Sequence, residues 1–98
     1  MKIIALSQER PEATREDFQP YLEAESRAVW DLHLQGILRE IHFRTDRKSA
    51  ALILECNSVD EAEDALATLP LVREQLISFD VIPLRPYDGY AKLFRDGS

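Results

Sequence analysis

The segment Ser49–Cys56 constrains the fold more than any other part of the chain, because it is apolar on both faces that a β-strand would present. Successive side chains of a strand point to opposite faces of the sheet. One face would carry only small or apolar side chains: Ala50, Leu52, Leu54 and Cys56. The other face would be mostly apolar as well: Ala51, Ile53 and Glu55. Such a strand belongs in a sheet that is covered on both sides, and one layer of helices covers only one of them.

Four segments carry the apolar and β-branched residues that predict strands. They are Lys2–Gln8, Ile37–Arg44, Ser49–Cys56 and Leu76–Leu84. Two further segments have capping residues followed by apolar residues at helical spacing. They predict a long helix from Thr14 to Gln35, ended by Gly36, and a shorter helix from Ser58 to Leu69. The order β-α-β-β-α-β is typical of an α+β, ferredoxin-like fold, whose antiparallel sheet carries both helices on one face.

The chain has 98 residues, which is room for one domain, and we assign residues 1–85 to it. Because the second face of the sheet would be apolar, we expect two subunits to pack sheet against sheet as a dimeric α/β barrel with a cavity between the sheets. The assembly would be a homodimer or a higher homo-oligomer of dimers.

Residues 86–98 form a C-terminal extension that is too short for a core of its own. It carries three aromatic side chains and a leucine: Tyr87, Tyr90, Leu93 and Phe94. Their apolar area favours packing on the partner subunit. The alternative is that the extension folds back on its own subunit or frays.

Composition excludes several kinds of partner. The formal net charge of −6 repels phosphate backbones, so we expect no nucleic-acid partner. Cys56 is the only cysteine, which rules out an intrachain disulfide, and the chain lacks the clustered ligands typical of a metal site. The apolar run Ile3–Leu6 is too short for a signal peptide or a membrane span. We therefore expect a cytoplasmic protein with no membrane partner and no bound metal.

Glu25 is the most unusual residue of the long helix, because it falls on the apolar stripe between Phe18 and Val29. A carboxylate there needs a partner or water. It lies either at the edge of the stripe, in solvent or paired with an arginine, or at the end of a cavity. In a cavity its pKa would be raised, and it could move a proton.

The second strand separates two alternating sets of side chains. One set is Ile37, Arg39, Ile41 and Phe43, and the other is Leu38, Glu40, His42 and Arg44. If the first set packs on the helices, His42 points to the dimer-forming face, where an imidazole can act as acid or base. Arg39 would then lie on the helix side, either paired with Glu25 or free to bind a substrate carboxylate. Surface or interface salt links are the alternative for this group.

The passage from Glu25 to Gly36-Ile37-Leu38-Arg39 resembles the muconolactone isomerase family. The blocks Leu66–Leu71 and Phe79–Leu84 are similar to that family's short LPL turn and final strand. The resemblance implies a dimeric α/β barrel and a small-molecule substrate, with a double-bond shift in an unsaturated lactone acid that uses no cofactor. By the resemblance, Glu25 is the acid/base and Arg39 binds the substrate carboxylate.

Other functions stay open beside that one. The strand after Arg39 and the tail from Pro86 depart from the family pattern, which favours a different substrate. A cofactor-free oxygenase on the same fold would need an aromatic-lined pocket, for which Trp30, Tyr87 and Tyr90 are the candidates. A non-catalytic dimer that binds a ligand or a partner is the third possibility.

Overall fold

A four-stranded antiparallel sheet in the order β2-β3-β1-β4 organises the structure, a computed structural model that describes residues 1–94. The strands are β1 (Lys2–Glu9), β2 (Leu38–Phe43), β3 (Ala50–Glu55) and β4 (Ile77–Pro83). The helices are α1 (Arg15–Phe18), α2 (Leu22–Leu34), α3 (Val59–Leu66) and α4 (Pro70–Arg73), with 3-10 turns at Gln19–Tyr21 and Gly89–Leu93. The predicted α+β class and antiparallel sheet are confirmed, and the strand order is compatible with the ferredoxin-like topology.

The core lies between the sheet and the helices. Its largest fully buried side chains are Ile3, Leu52, Leu54 and Leu69. The predicted alternation of β3 is confirmed, since Leu52 and Leu54 are buried while Ile53 is partly exposed. Cys56 follows the same face and is buried, which raises the pKa of its thiol and makes it part of the core rather than a reactive group.

The prediction of one helix over residues 14–35 is wrong in detail. Thr14 caps α1 as expected: its backbone N–H donates to Asp17 Oδ2 at 2.8 Å, and Asp17 N–H donates to Thr14 Oγ1. The segment is then interrupted by the 3-10 turn that contains Pro20. Proline has no N–H to donate and its ring crowds the preceding turn, so α2 starts afresh at Leu22.

A bulge at Arg39 changes the register of β2. Leu38 pairs with Leu54 and Glu40 pairs with Ile53, so Arg39 is the extra residue on the β2 side. Leu38 is therefore buried in the core, whereas strict alternation had placed it on the opposite face. Beyond the bulge the expectation is confirmed for His42, which pairs with Ala51 on the side away from the core. It is wrong for Arg44, which alternation places with His42 but which lies on the helix side of the sheet.

The face of the sheet away from the helices has an apolar centre, and we call it the helix-free face. Pairing between strands brings these side chains together: Ile4, Leu6, Ala51, Ile53 and Ile82. Each is partly or largely exposed in the single chain, with Ile82 at 41%. The dimeric barrel that would cover this face stays a prediction.

The tail after β4 stands away from the domain. Tyr87, Tyr90, Leu93 and Phe94 are 67–83% exposed. The radius of gyration is 16.8 Å and the longest dimension 64 Å, against about 13 Å expected for the radius of a compact chain of this length. The described part of the tail therefore does not fold back on its own subunit. Residues 95–98 of the 86–98 extension lie outside the described residues.

Two helices end in the same hydrogen-bonded motif but with different residues at the left-handed position. After α2, Gly36 has φ 78° and Ile37 N–H donates to Leu32 O at 3.1 Å. After α4, Gln75 has φ 60° and the following N–H donates to Leu71 O at 2.9 Å. Only glycine adopts this conformation without steric cost.

Exchanging glycine and a side chain at these two ends should change stability in opposite directions. Gly36→Ala should lower the free energy of unfolding by about 1 kcal/mol, because a Cβ is strained at positive φ. Gln75→Gly should raise it by up to about 1 kcal/mol, because it relieves the same strain. Urea denaturation of the two variants beside wild type measures both changes, and effects of equal sign would contradict the assignment.

Candidate functional site

A cavity of about 950 Å³ lies on the helix side of the sheet, and we call it the helix-side cavity. Its walls come from α2, α4 and the sheet, and the hairpin Arg44–Ser49 between β2 and β3 borders it. Most of the lining is apolar, with Phe18, Val29, Leu71 and Phe79 among the contributors. The sequence predicts a cavity between two sheets, whereas this cavity lies within a single subunit on the opposite face.

Glu25 is the acidic side chain that α2 contributes to this cavity. It is half-buried, and its Oε1 accepts a hydrogen bond from Leu71 N–H at 2.9 Å. Leu71 lies in the first turn of α4, where backbone N–H groups have no partner within the helix. The apolar stripe of α2 thus brings the carboxyl group against the start of α4.

Burial raises the pKa of Glu25, and the hydrogen bond from Leu71 opposes the shift less strongly. No ion pair joins Glu25 to an arginine or lysine anywhere in residues 1–94. A carboxyl group with a raised pKa in an apolar cavity can exchange a proton at a pH closer to neutrality than an ordinary glutamate.

Ser7 brings a second polar group to the cavity, from the sheet side. Its Oγ accepts a hydrogen bond from Ala50 N–H at 2.7 Å, and the residue is only 7% exposed. The neighbouring Ser49 Oγ donates to Ser7 O at 2.5 Å. Within residues 1–94 the hydroxyl hydrogen of Ser7 has no acceptor, so this hydroxyl can donate to an oxygen of a ligand.

Arg39 and His42 do not join Glu25. Arg39 is exposed at the bulge, and its Nε donates to Gly36 O at 2.7 Å. That carbonyl lies just beyond the C-terminus of α2, where positive charge is favourable. Arg39 does not line the helix-side cavity, so the single subunit does not bring it into one pocket with Glu25.

His42 lies on the helix-free face, as the alternation of β2 predicts beyond the bulge. Its Nε2 lies 3.2 Å from Glu40 Oε1, and both side chains are more than half exposed. The pair is separated from the helix-side cavity by the sheet. A role for His42 would therefore have to be on the face where a second subunit is expected.

Sequence reasoning missed the charged residues at the mouth of the cavity. The hairpin places Arg44, Asp46, Arg47 and Lys48 there. Arg44 donates from Nε to Asp46 Oδ1 at 2.9 Å and from Nη2 to Asp46 Oδ2 at 2.6 Å, which lowers the pKa of Asp46. The sequence predicts only that residues 45–48 connect two strands, because the pattern of a strand pair does not show what lies beside it.

The aromatic residues of the cavity are not those expected from the sequence. Trp30, Tyr87 and Tyr90 are largely exposed and lie outside its lining. Three phenylalanines line it instead: Phe18, Phe43 and Phe79. Phe43 is 86% exposed and therefore lies at the mouth rather than in the interior.

No protein-family model and no curated protein matches this chain. Within residues 1–94 no helix has the length and apolar character needed to cross a membrane. The same residues contain no group of three or more His, Cys, Asp or Glu side chains placed to hold a metal ion.

The raised pKa of Glu25 predicts how stability changes with pH. The pKa of Glu25 is higher in the folded than in the unfolded chain, so folding favours the protonated side chain. The resulting contribution to the free energy of unfolding is fully present below the unfolded pKa of about 4.3. It is lost as the pH rises through the folded pKa. Glu25→Gln should therefore gain stability relative to wild type as the pH rises from acidic to neutral.

Urea denaturation across that pH range measures the difference between the two proteins. Glu23→Gln, an exposed substitution two residues earlier in α2, is the matched control for removing a carboxylate. If the free energies of unfolding of wild type and Glu25→Gln differ by the same amount at every pH, the raised pKa of buried Glu25 is contradicted.

Proposed function

We propose that the chain is a cofactor-independent, proton-transferring isomerase of the muconolactone isomerase type. Its substrate would be a small unsaturated lactone or acid bound in the helix-side cavity. The observation that carries this proposal is the half-buried Glu25 carboxyl group, with a raised pKa, in a largely apolar cavity. The resemblance of residues 25–39 to that family supports the same assignment of Glu25 as acid/base.

The reaction needs one group that removes a proton and returns it elsewhere. Glu25 would take a proton from the γ carbon of an α,β-unsaturated lactone, and the electron pair of the broken C–H bond would delocalise through the double bond onto the carbonyl oxygen. The same carboxyl group would then return the proton to a different carbon, so the double bond shifts without net oxidation. The Ser7 hydroxyl is available to donate to the oxygen that gains charge.

Arg39 and His42 take no part in this catalytic step. Neither lines the helix-side cavity, and Arg39 is held by the carbonyl of Gly36. Glu25 alone would carry the proton. We assign His42 and Glu40 to the surface that faces a second subunit, where their exposure in the single chain would be reduced.

We further propose a homodimer, or a homo-oligomer of dimers, that packs through the helix-free face. The apolar centre of that face and the exposed aromatic tail support it together, because each leaves apolar area in water that a second copy could cover. The tail would then lie on the partner subunit. A tail of this kind adds to the association free energy without needing a core of its own.

A cofactor-free oxygenase is the second candidate function. The three phenylalanines of the cavity favour it, because such an enzyme has to hold an aromatic substrate away from water while molecular oxygen reacts. A ligand-binding protein without activity is the outcome if neither reaction is found.

Loss of the Glu25 carboxylate should slow isomerisation strongly. Purified protein is assayed against unsaturated lactones, quinols and cyclic dienes, with product identification for each class. On a lactone that is converted, Glu25→Gln should lower kcat by about 100-fold or more, because general acid–base groups contribute on that scale. Glu23→Gln, on the same helix, should keep the wild-type rate. An unchanged rate for Glu25→Gln, or conversion of quinols alone, would overturn the isomerase proposal.

Removing the tail should weaken the assembly. A chain that ends at Pro86 loses Tyr87, Tyr90, Leu93 and Phe94, and its dimer dissociation constant should rise by about tenfold or more. Lys92→Ala changes the tail without removing apolar area and should leave association unchanged. Sedimentation velocity measures both, and a monomeric full-length chain at micromolar concentration would overturn the dimer.

A further inference from the structure

The helix-side cavity has a different charge at its two ends. Its interior holds the Glu25 carboxyl group and the Ser7 hydroxyl between apolar walls. Its mouth carries three cations, Arg44, Arg47 and Lys48, against the carboxylates of Glu9 and Asp46. This local excess of positive charge occurs in a chain whose formal net charge is −6.

Two of the three cations are free to meet a ligand. The Arg44 guanidinium donates from two of its three nitrogens to Asp46, so these two charges neutralise each other. Arg47 and Lys48 are exposed, and neither forms an ion pair with another residue of the described part of the chain. The exposed ring of Phe43 borders the same opening and offers it an apolar surface.

We propose that Arg47 and Lys48 bind the carboxylate of an amphipathic ligand whose apolar body fills the helix-side cavity. The orientation follows from charge: an anionic group is repelled by ionised Glu25 in the interior and attracted by the hairpin cations at the mouth. The apolar part of the ligand then lies among Phe18, Val29 and Phe79, within the part of the cavity that Glu25 lines.

This inference builds on the proposed function, because it names the part of the substrate that is recognised and the residues that recognise it. The hairpin takes the carboxylate-binding role that the sequence had suggested for Arg39. Arg47 and Lys48 are binding residues here, and Glu25 keeps the proton transfer.

The test compares two probes with the same apolar body and different charge, cinnamate and cinnamamide. Isothermal titration calorimetry on the full-length chain measures the dissociation constant of each. Wild type should bind cinnamate at least about tenfold more tightly than the amide, because hydrogen bonds to charged groups are worth that factor or more. The preference should shrink as salt is added.

Three variant proteins show which side chains bind the carboxylate of the probe and which bind its apolar body. Arg47→Ala/Lys48→Ala should remove the preference for cinnamate and leave cinnamamide binding unchanged. Arg27→Ala, an exposed cation of α2 outside the cavity, should change neither constant. Leu22→Ala, which shortens a cavity-lining side chain at the start of α2, should weaken both ligands by a similar factor.

Equal affinity for the two probes in wild type, or no binding of cinnamate at millimolar concentration, overturns the inference. So does a preference that survives in Arg47→Ala/Lys48→Ala. These outcomes are separate from those of the isomerase assay. A lost preference with intact lactone turnover rejects only the hairpin site, and an intact preference in a protein that converts no lactone rejects only the isomerase.

Discussion

The burial of the central strands beneath the helices is the constraint on which the rest of the structure depends. Ile3 of β1 and Leu52 and Leu54 of β3 are almost completely removed from water, and Leu69 closes over them from the segment before α4. This apolar layer supplies most of the driving force for folding. It also holds α2 and α4 on one side of the sheet, which is why Glu25 of α2 meets the backbone of Leu71.

Glu25 illustrates the cost of placing a carboxyl group in such a layer. Its charged form is disfavoured by burial, and one backbone hydrogen bond only partly offsets the loss of water. A residue chosen for stability alone would be apolar at this position. Functional sites often retain residues that lower stability, and a carboxyl group with a raised pKa in a cavity is such a residue. We therefore assign the chemistry to Glu25 rather than to the exposed His42.

The helix-free face and the tail are both apolar surfaces that the single chain does not cover. Both leave apolar side chains in water, and the helices cannot cover them because they all serve the opposite face. A second copy of the chain would cover both surfaces with the same symmetric contact. In that assembly the helix-side cavity would stay within each subunit, so oligomerisation and ligand binding would use opposite faces of the sheet.

Local patterns in the sequence determined the order of the elements, the caps at Thr14 and Ser58, the two faces of β3 and the unusual position of Glu25, because each depends on residues close together in the chain. The interruption at Pro20 was equally local and was overlooked. Tertiary structure alone decided the bulge at Arg39, which is set by pairing with β3, and the burial of Leu38 that results. It also decided which groups share the cavity. Glu25, Ser7 and Lys48 are distant in sequence, and only the packing of α2 and the hairpin against the sheet brings them around one space, while Arg39 is left outside.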